Sequence, residues 1–217
     1  MVEPRVTPYI WVTWLPKLLV GEASCEWAPW FKSRNENRTY DKVPSDFDAA
    51  TWQMNHTALL NRIQEALEEE GKVVLTEGQN KFVLKGTSAT LGGKPDLITT
   101  TGATGTIYDA KTGKPSPAHL IQLMIYMYAI PKALKQYAGV EFQGKIVYQD
   151  HEVVIPSSAI DDAFIDNLGR LIRRVSSLSP ARKVPSATEC KYCNLTVGTC
   201  PERVVSDQVE SGMTSDF

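Results

Sequence analysis

The chain has no long apolar run. No stretch approaches the roughly 20 consecutive apolar residues that a membrane-spanning helix needs, and the N-terminus lacks a basic segment followed by an apolar one. These absences predict a soluble, cytoplasmic protein with no membrane partner. Bulk basicity is missing too: the formal net charge is −2, so any contact with nucleic acid has to be local rather than spread over the surface. Cysteine is scarce, at four among 217 residues, and with 42% hydrophobic and 22% charged content the chain can bury one sizeable core but not two large ones.

What is present is concentrated between Gly93 and Tyr126. Strand alternation puts Ile107, Asp109 and Lys111 on one side and Tyr108 and Ala110 on the other. If Pro95 to Thr99 forms the neighbouring strand, with Gly102 and Gly105 supplying the turn, Asp96 comes alongside Asp109. Paired carboxylates suit Mg²⁺ or Mn²⁺, hard ions that take oxygen ligands. A lysine two residues on can orient a water or offset charge on a phosphate oxygen. The constellation reads as metal-assisted phosphodiester hydrolysis.

Around this centre the chain divides into recognisable pieces. Trp11, Trp14, Trp27, Trp30 and Phe31 crowd the first thirty-odd residues, where Pro8, Pro16 and Pro29 cut the segment into short pieces that need something to pack against. Ser45 to Glu70 reads as a helix, with Ser45 and Asp48 as its start signal, Gly71 as its stop, and His56, Leu60, Ile63 and Leu67 on one face. Three β-like runs follow, Val73 to Leu75, Phe82 to Leu84 and Leu97 to Ile98, expected as a meander into the site, with Glu77 at the end of the first. Pro117 to Tyr137 is helical, with Pro131 expected to kink or end its first part. On it His119, Gln122 and Tyr126 share a face. A hairpin joins Lys145 to Tyr148 with Glu152 to Ile155, an amphipathic helix runs from Ile160 to Val175, and a Ser/Pro-rich connection leads to the last cysteines. Arg170, Arg173, Arg174, Arg182 and Lys183 form the densest basic region, either a phosphate track or the solvated face of a helix. From about Ser206 the sequence is acidic and nearly devoid of apolar residues, as in a disordered tail.

Cys190-x-x-Cys193 and Cys200 form a tight group, and Cys25 stands far upstream. Four thiolates can hold Zn²⁺ or an iron–sulfur cluster, and two disulfides are the alternative; spacing alone leaves zinc and iron–sulfur open.

In Pro95-Asp96 followed by Asp109-x-Lys111, the sequence resembles the PD-(D/E)XK nuclease superfamily. Gln122 and Tyr126 stand as the Q-x-x-x-Y of its RecB-like members. The resemblance covers nearly the whole chain up to Arg203, and it extends to the CRISPR-associated RecB-like exonucleases, in which one N-terminal and three C-terminal cysteines hold a [4Fe–4S] cluster. It departs from many relatives in carrying Asp109 where they carry glutamate. It implies an α/β, restriction-endonuclease-like core, a central mixed sheet flanked by helices, with a small helical iron–sulfur satellite. Residues 1–205 would be one nuclease domain, with 1–45 and 157–205 forming the satellite and 206–217 the tail. It further implies Mg²⁺ or Mn²⁺ held by His56, Asp96 and Asp109, with Glu77 a possible addition. Asp96, Asp109, Lys111, Gln122 and Tyr126 would serve catalysis, and a [4Fe–4S] cluster would sit on Cys25, Cys190, Cys193 and Cys200. The implied activity is DNA cleavage, exonucleolytic on single-stranded or end-bearing DNA. The alternative is a DNA-binding or end-processing adaptor with a protein partner in CRISPR spacer acquisition, an antiviral defence, or in DNA repair.

Overall fold

Apolar and polar residues alternate most regularly in the middle of the chain, and there the backbone forms its main sheet. The computed structural model describes residues 2–45 and 47–205; the tail expected from Ser206 lies outside the described residues. The strands are β1 (Tyr9–Trp11), β2 (Val74–Thr76), β3 (Phe82–Lys85), β4 (Thr90–Gly93), β5 (Leu97–Thr101), β6 (Thr104–Ala110), β7 (Glu141–Val147) and β8 (Glu152–Ile155). The α-helices are α1 (Pro16–Leu19), α2 (Trp27–Arg34), α3 (Ala49–Glu69), α4 (Glu77–Asn80), α5 (Pro117–Ala133), α6 (Asp162–Ser176) and α7 (Ala187–Lys191).

Five strands make a mixed sheet in the order β2-β5-β6-β7-β8, antiparallel throughout except for the parallel pair β6 and β7, which α5 connects. A parallel pair needs such a crossover, because a tight turn cannot return the chain to the same end. Gly102, with φ of +60°, makes the turn between β5 and β6, a backbone conformation that side chains resist. Gly105, expected to share that turn, lies inside β6. Helix α5 lies tight on the sheet: a Cβ at Gly144 would stand 2.7 Å from the Leu123 side chain and 2.9 Å from the Met127 sulfur. Ile98, Ile107 and Ile146 meet Leu123 and Met127 in the larger core. Leu97, Tyr108, Ala110 and Val147, on the opposite face, take Leu59, Ile63 and Leu67 of α3.

Several expectations need correction. The runs between Val73 and Ile98 do not form one meander. β3 pairs with β4, a strand that its glycines hide from pattern reading, and β1 joins them in a separate three-stranded sheet. Only β2 enters the main sheet ahead of β5. Asp48, not Ser45, caps α3 by accepting the Thr51 amide at 3.0 Å, and Leu59 rather than Leu60 fills the buried stripe. Pro131 sits in the last turn of α5, which ends two residues later; Lys135 to Tyr137 form a separate 3₁₀ turn. Near the N-terminus, Ile10, Val12 and Leu15 enter the core, while the tryptophans are partly buried around it. No helix among the described residues is long and apolar enough to cross a membrane.

Candidate active site

The register that pairs Leu97 with Tyr108 and Ile98 with Ile107 sets Asp96 beside the end of β6, as the alternation predicts. Asp96 Oδ2 accepts the Ala110 amide at 2.7 Å, so the strand's own backbone holds this carboxylate in place. Asp109 is 2% exposed. Its Oδ1 accepts from Gln122 Nε2 at 3.1 Å. Its Oδ2, also buried, is ion-paired with Lys111 Nζ at 2.6 Å and takes no other partner among the described residues. The Lys111 amide donates to the Val147 carbonyl at 2.9 Å, carrying the ladder one residue past β6 and fixing the lysine's backbone.

Helix α5 supplies the facing wall. Gln122 bridges the pair, accepting from Lys111 Nζ at 3.5 Å while donating to Asp109, and its amide also reaches the Tyr126 hydroxyl at 3.5 Å. His119 turns aside, with Nδ1 2.9 Å from the Tyr148 hydroxyl. From the other face of the sheet, α3 extends its first turns so that His56 Nε2 stands 3.5 Å from Asp96 Oδ2. Glu77 is not at a strand end but opens α4, and it pairs with Lys94 at 2.5 Å. Asp96, Asp109, Lys111, Gln122, Tyr126, His119, His56, Glu77 and Lys94 line one open cleft of about 400 Å³.

The surroundings move the proton affinities in consistent directions. Burial, reinforced by the neighbouring Asp96 and opposed by the Lys111 ammonium, pushes the Asp109 carboxyl up to about 6. Burial, then the negative charges of Asp109 and Asp96, raises the Tyr126 hydroxyl and keeps it protonated. The Asp96 carboxylate raises the proton affinity of His56, whereas burial, then the Lys111 charge, lowers that of His119. Two buried carboxylates side by side, with one lysine ammonium between them and the cleft, leave negative charge that a further cation would offset. These two aspartates, with the buried His56 beside Asp96, fit a divalent ion.

Six residues of the cleft wall were not anticipated from the sequence: Thr13, Trp52, Lys94, Thr112, Gly113 and Lys114. Trp52 alone carried a signal, since it lies one helical turn before His56 on the same face.

The four cysteines are free thiols, and all line a second cavity of about 180 Å³ together with Lys32, Lys183 and Arg203. Hydrogen bonds fix the segments that carry them. Glu189 accepts from the Ser24 and Cys25 amides at 2.5 and 3.3 Å, and Arg203 donates to the carbonyls of Cys193 and Leu195 at 2.6 and 2.9 Å. Among the described residues no three His, Cys, Asp or Glu side chains are already drawn together as an ion cage. The chemistry of the wall nonetheless suits a thiolate-bound cluster: four soft ligands share it with four cationic side chains, Lys17 beside Lys32, Lys183 and Arg203, that offset their charge. The basic region splits in use. Arg174 forks onto Glu26 at 2.8–3.0 Å and Arg182 donates to the Ser24 carbonyl, so these two tie the N-terminal segment to the C-terminal one, while Lys183 pairs with Glu202; none of the three is left as a free phosphate track.

A family model described as the PD-(D/E)XK nuclease superfamily matches residues 20–200. Among solved structures, that of SSO0001 aligns with 87% of this chain and 84% of its own, at 18% identity and a TM-score of 0.45. No curated protein matches the sequence.

Proposed function

Because the chain belongs to the PD-(D/E)XK nuclease superfamily, whose members typically use Mg²⁺ or Mn²⁺, we propose that it is a metal-dependent DNA nuclease acting at the cleft between β5, β6 and α5. The observation that carries this reading is the pair of buried carboxylates, Asp96 and Asp109, set in one cleft with the Lys111 ammonium 2.6 Å from Asp109 Oδ2. Asp96, Asp109 and His56 would hold the ion. When bound, it supplies positive charge to the phosphate and acidifies a water.

The chain's own groups do the remainder. Lys111, set by the ladder behind it and by Gln122 beside it, offers Nζ to a phosphate oxygen as negative charge grows there. Gln122 keeps the lysine and Asp109 in register, and Tyr126, held neutral, supports Gln122. Water oxygen bonds to phosphorus, the bond to the departing sugar oxygen breaks, and that oxygen gains a proton. The second cavity would take the [4Fe–4S] cluster on Cys25, Cys190, Cys193 and Cys200, a reading supported by four free thiols lining one cavity with four cationic side chains. That centre would join the chain ends rather than act on the phosphate.

End-labelled single-stranded and duplex DNA, incubated with Mg²⁺, Mn²⁺ or EDTA, tests the activity. Stepwise shortening that needs the metal is expected, and no cleavage with either metal would overturn the reading.

A further inference from the structure

Hydrolysis makes no use of the aromatic side chains at the mouth of the cleft. The apolar stripe that seats α3 on the sheet through Leu59, Ile63 and Leu67 runs on past the sheet to His56 and Trp52. There the Trp52 indole stacks on the His56 imidazole, with centroids 4.9 Å apart and planes 20° from parallel. Phe47 follows at 6.1 Å from Trp52. The three rings form a ladder from the buried metal-site histidine outward: Trp52 is 41% exposed and Phe47 60%.

With two fifths of its surface still in water, the Trp52 indole leaves apolar area that the fold does not cover. A nucleobase supplies the missing partner. Each base presents an apolar π-face, and stacking on an aromatic side chain is tolerant of sequence. The phosphates flanking that base would face cationic groups, because Lys94 and Lys111 line the same cleft as Trp52. In a closed duplex both faces of each base are already covered by neighbours, whereas an unpaired base has a face to offer.

We propose that Trp52, extended by Phe47, is a stacking platform for an unpaired nucleobase next to the scissile phosphate, so that the site selects single-stranded DNA or a frayed end over closed duplex. This rests on the nuclease reading for its substrate class, but the binding it requires is measurable without cleavage. It also differs from a role for Trp52 confined to holding His56, because that role would not depend on whether the strand carries a base.

The test is a cycle between residue and base in the Lys111→Ala protein with Mg²⁺, so that bound strands persist. Fluorescence anisotropy follows a labelled single-stranded 12-mer and a series in which an abasic residue replaces each position in turn from the free end. One abasic position should weaken binding about five- to tenfold, toward the lower end of what base–aromatic stacking gives. Trp52→Ala should lose the same amount on the intact strand and nothing more on that abasic strand, and Trp52→Phe should recover most of it. Phe47→Ala, at the outer rung, should lose about two- to threefold. Equal binding of the intact strand with and without Trp52, or an abasic penalty unchanged in Trp52→Ala, overturns the platform. Thermal melting of each variant guards against unfolding, which exposure of both side chains makes a small risk. Cleavage by the unaltered protein is scored separately: a coupled cycle without cleavage would refute hydrolysis and retain the platform, and cleavage without coupling would do the reverse.

Discussion

The carboxylate cleft and the cysteine cavity share one wall residue, Thr13, yet they are built in opposite ways. The cleft is the larger, at about 400 against 180 Å³, and its key groups are held before any ligand arrives. Asp96 is held by the Ala110 amide and Asp109 by Gln122, both on or against strands whose pairing fixes them. The cavity draws its four thiols from a loop near the N-terminus, from the five-residue α7 and from turns beyond it, none of which belongs to a sheet. Hydrogen bonds and the Glu26–Arg174 fork hold these segments, while the thiols themselves remain free. The cleft's key groups are therefore set by sheet pairing, whereas the cavity's thiols are set by loops, turns and the short α7 alone.

The strongest way to separate the two is to disable one and watch the other. Lys111→Ala should reduce cleavage by about 10²- to 10³-fold, the usual cost of removing a group that meets developing charge. The visible absorbance of anaerobically purified protein should stay unchanged, because Lys111 lies in the cleft alone. Cleavage at the original rate would break the assignment.

In the other direction, Cys25→Ala should bleach that absorbance and loosen both chain ends, since binding energy at a site absent from the unfolded chain is folding energy. Hydrogen exchange checks this: amides near Ser24 to Val43 and Arg182 to Arg203 should exchange faster while those of β5, β6 and β7 remain protected. Zinc without iron in the purified protein would refute the cluster, and two disulfides with no metal would refute the cytoplasmic placement as well.

A third test uses the cost of the cleft's preset geometry. The fold raises the Asp109 carboxyl above its unfolded affinity, to about 6, so the native state binds a proton more readily than the unfolded chain. The penalty for the ionised form is fully present above that value and vanishes as pH falls through the ordinary aspartate range. Asp109→Asn should therefore stabilise the metal-free protein at pH 7 to 8, on the order of 1–3 kcal/mol, while abolishing cleavage. The gain should be gone near pH 4 in urea titrations, and a gain independent of pH would contradict the electrostatic origin.

The smallest effect concerns His56. Its proton affinity is raised, with the Asp96 carboxylate as first cause, so the stabilisation it lends exists below its unfolded value and fades as pH rises through the folded one. His56→Ala should lower metal-dependent cleavage while costing less melting temperature at pH 8 than at pH 6. A large loss of melting temperature at pH 8, with normal rate per folded molecule, would make His56 a core residue instead.

Much of the cleft was legible in the sequence because a strand repeats every two residues and a helix every three to four. Asp109 and Lys111 share a side by alternation, Asp96 joins them through one short turn, and Gln122 and Tyr126 share a face of α5; each inference spans few residues and one regular element. The split into two sheets was not legible. β1 pairs with β4 across some eighty residues, and nothing local in Thr90–Gly93 announces a strand when two of its four residues are glycine. The same holds for Arg174, Arg182 and Lys183, whose partners lie near the opposite end of the chain or beyond an intervening helix.

The sequence by itself thus determined which chemical groups are available and which of them a single strand, turn or helix brings together. It named the four cysteines and left open what they bind, since spacing says nothing of whether distant thiols meet. Only the tertiary structure decided that α3 overreaches the sheet and sets His56 against Asp96, that Trp52 stands at the mouth of the cleft with one face to solvent, and that the two chain ends close around one cavity. The physical reason is that register and periodicity act along a few residues, whereas these meetings depend on how layers of the fold pack, which every buried side chain helps to set.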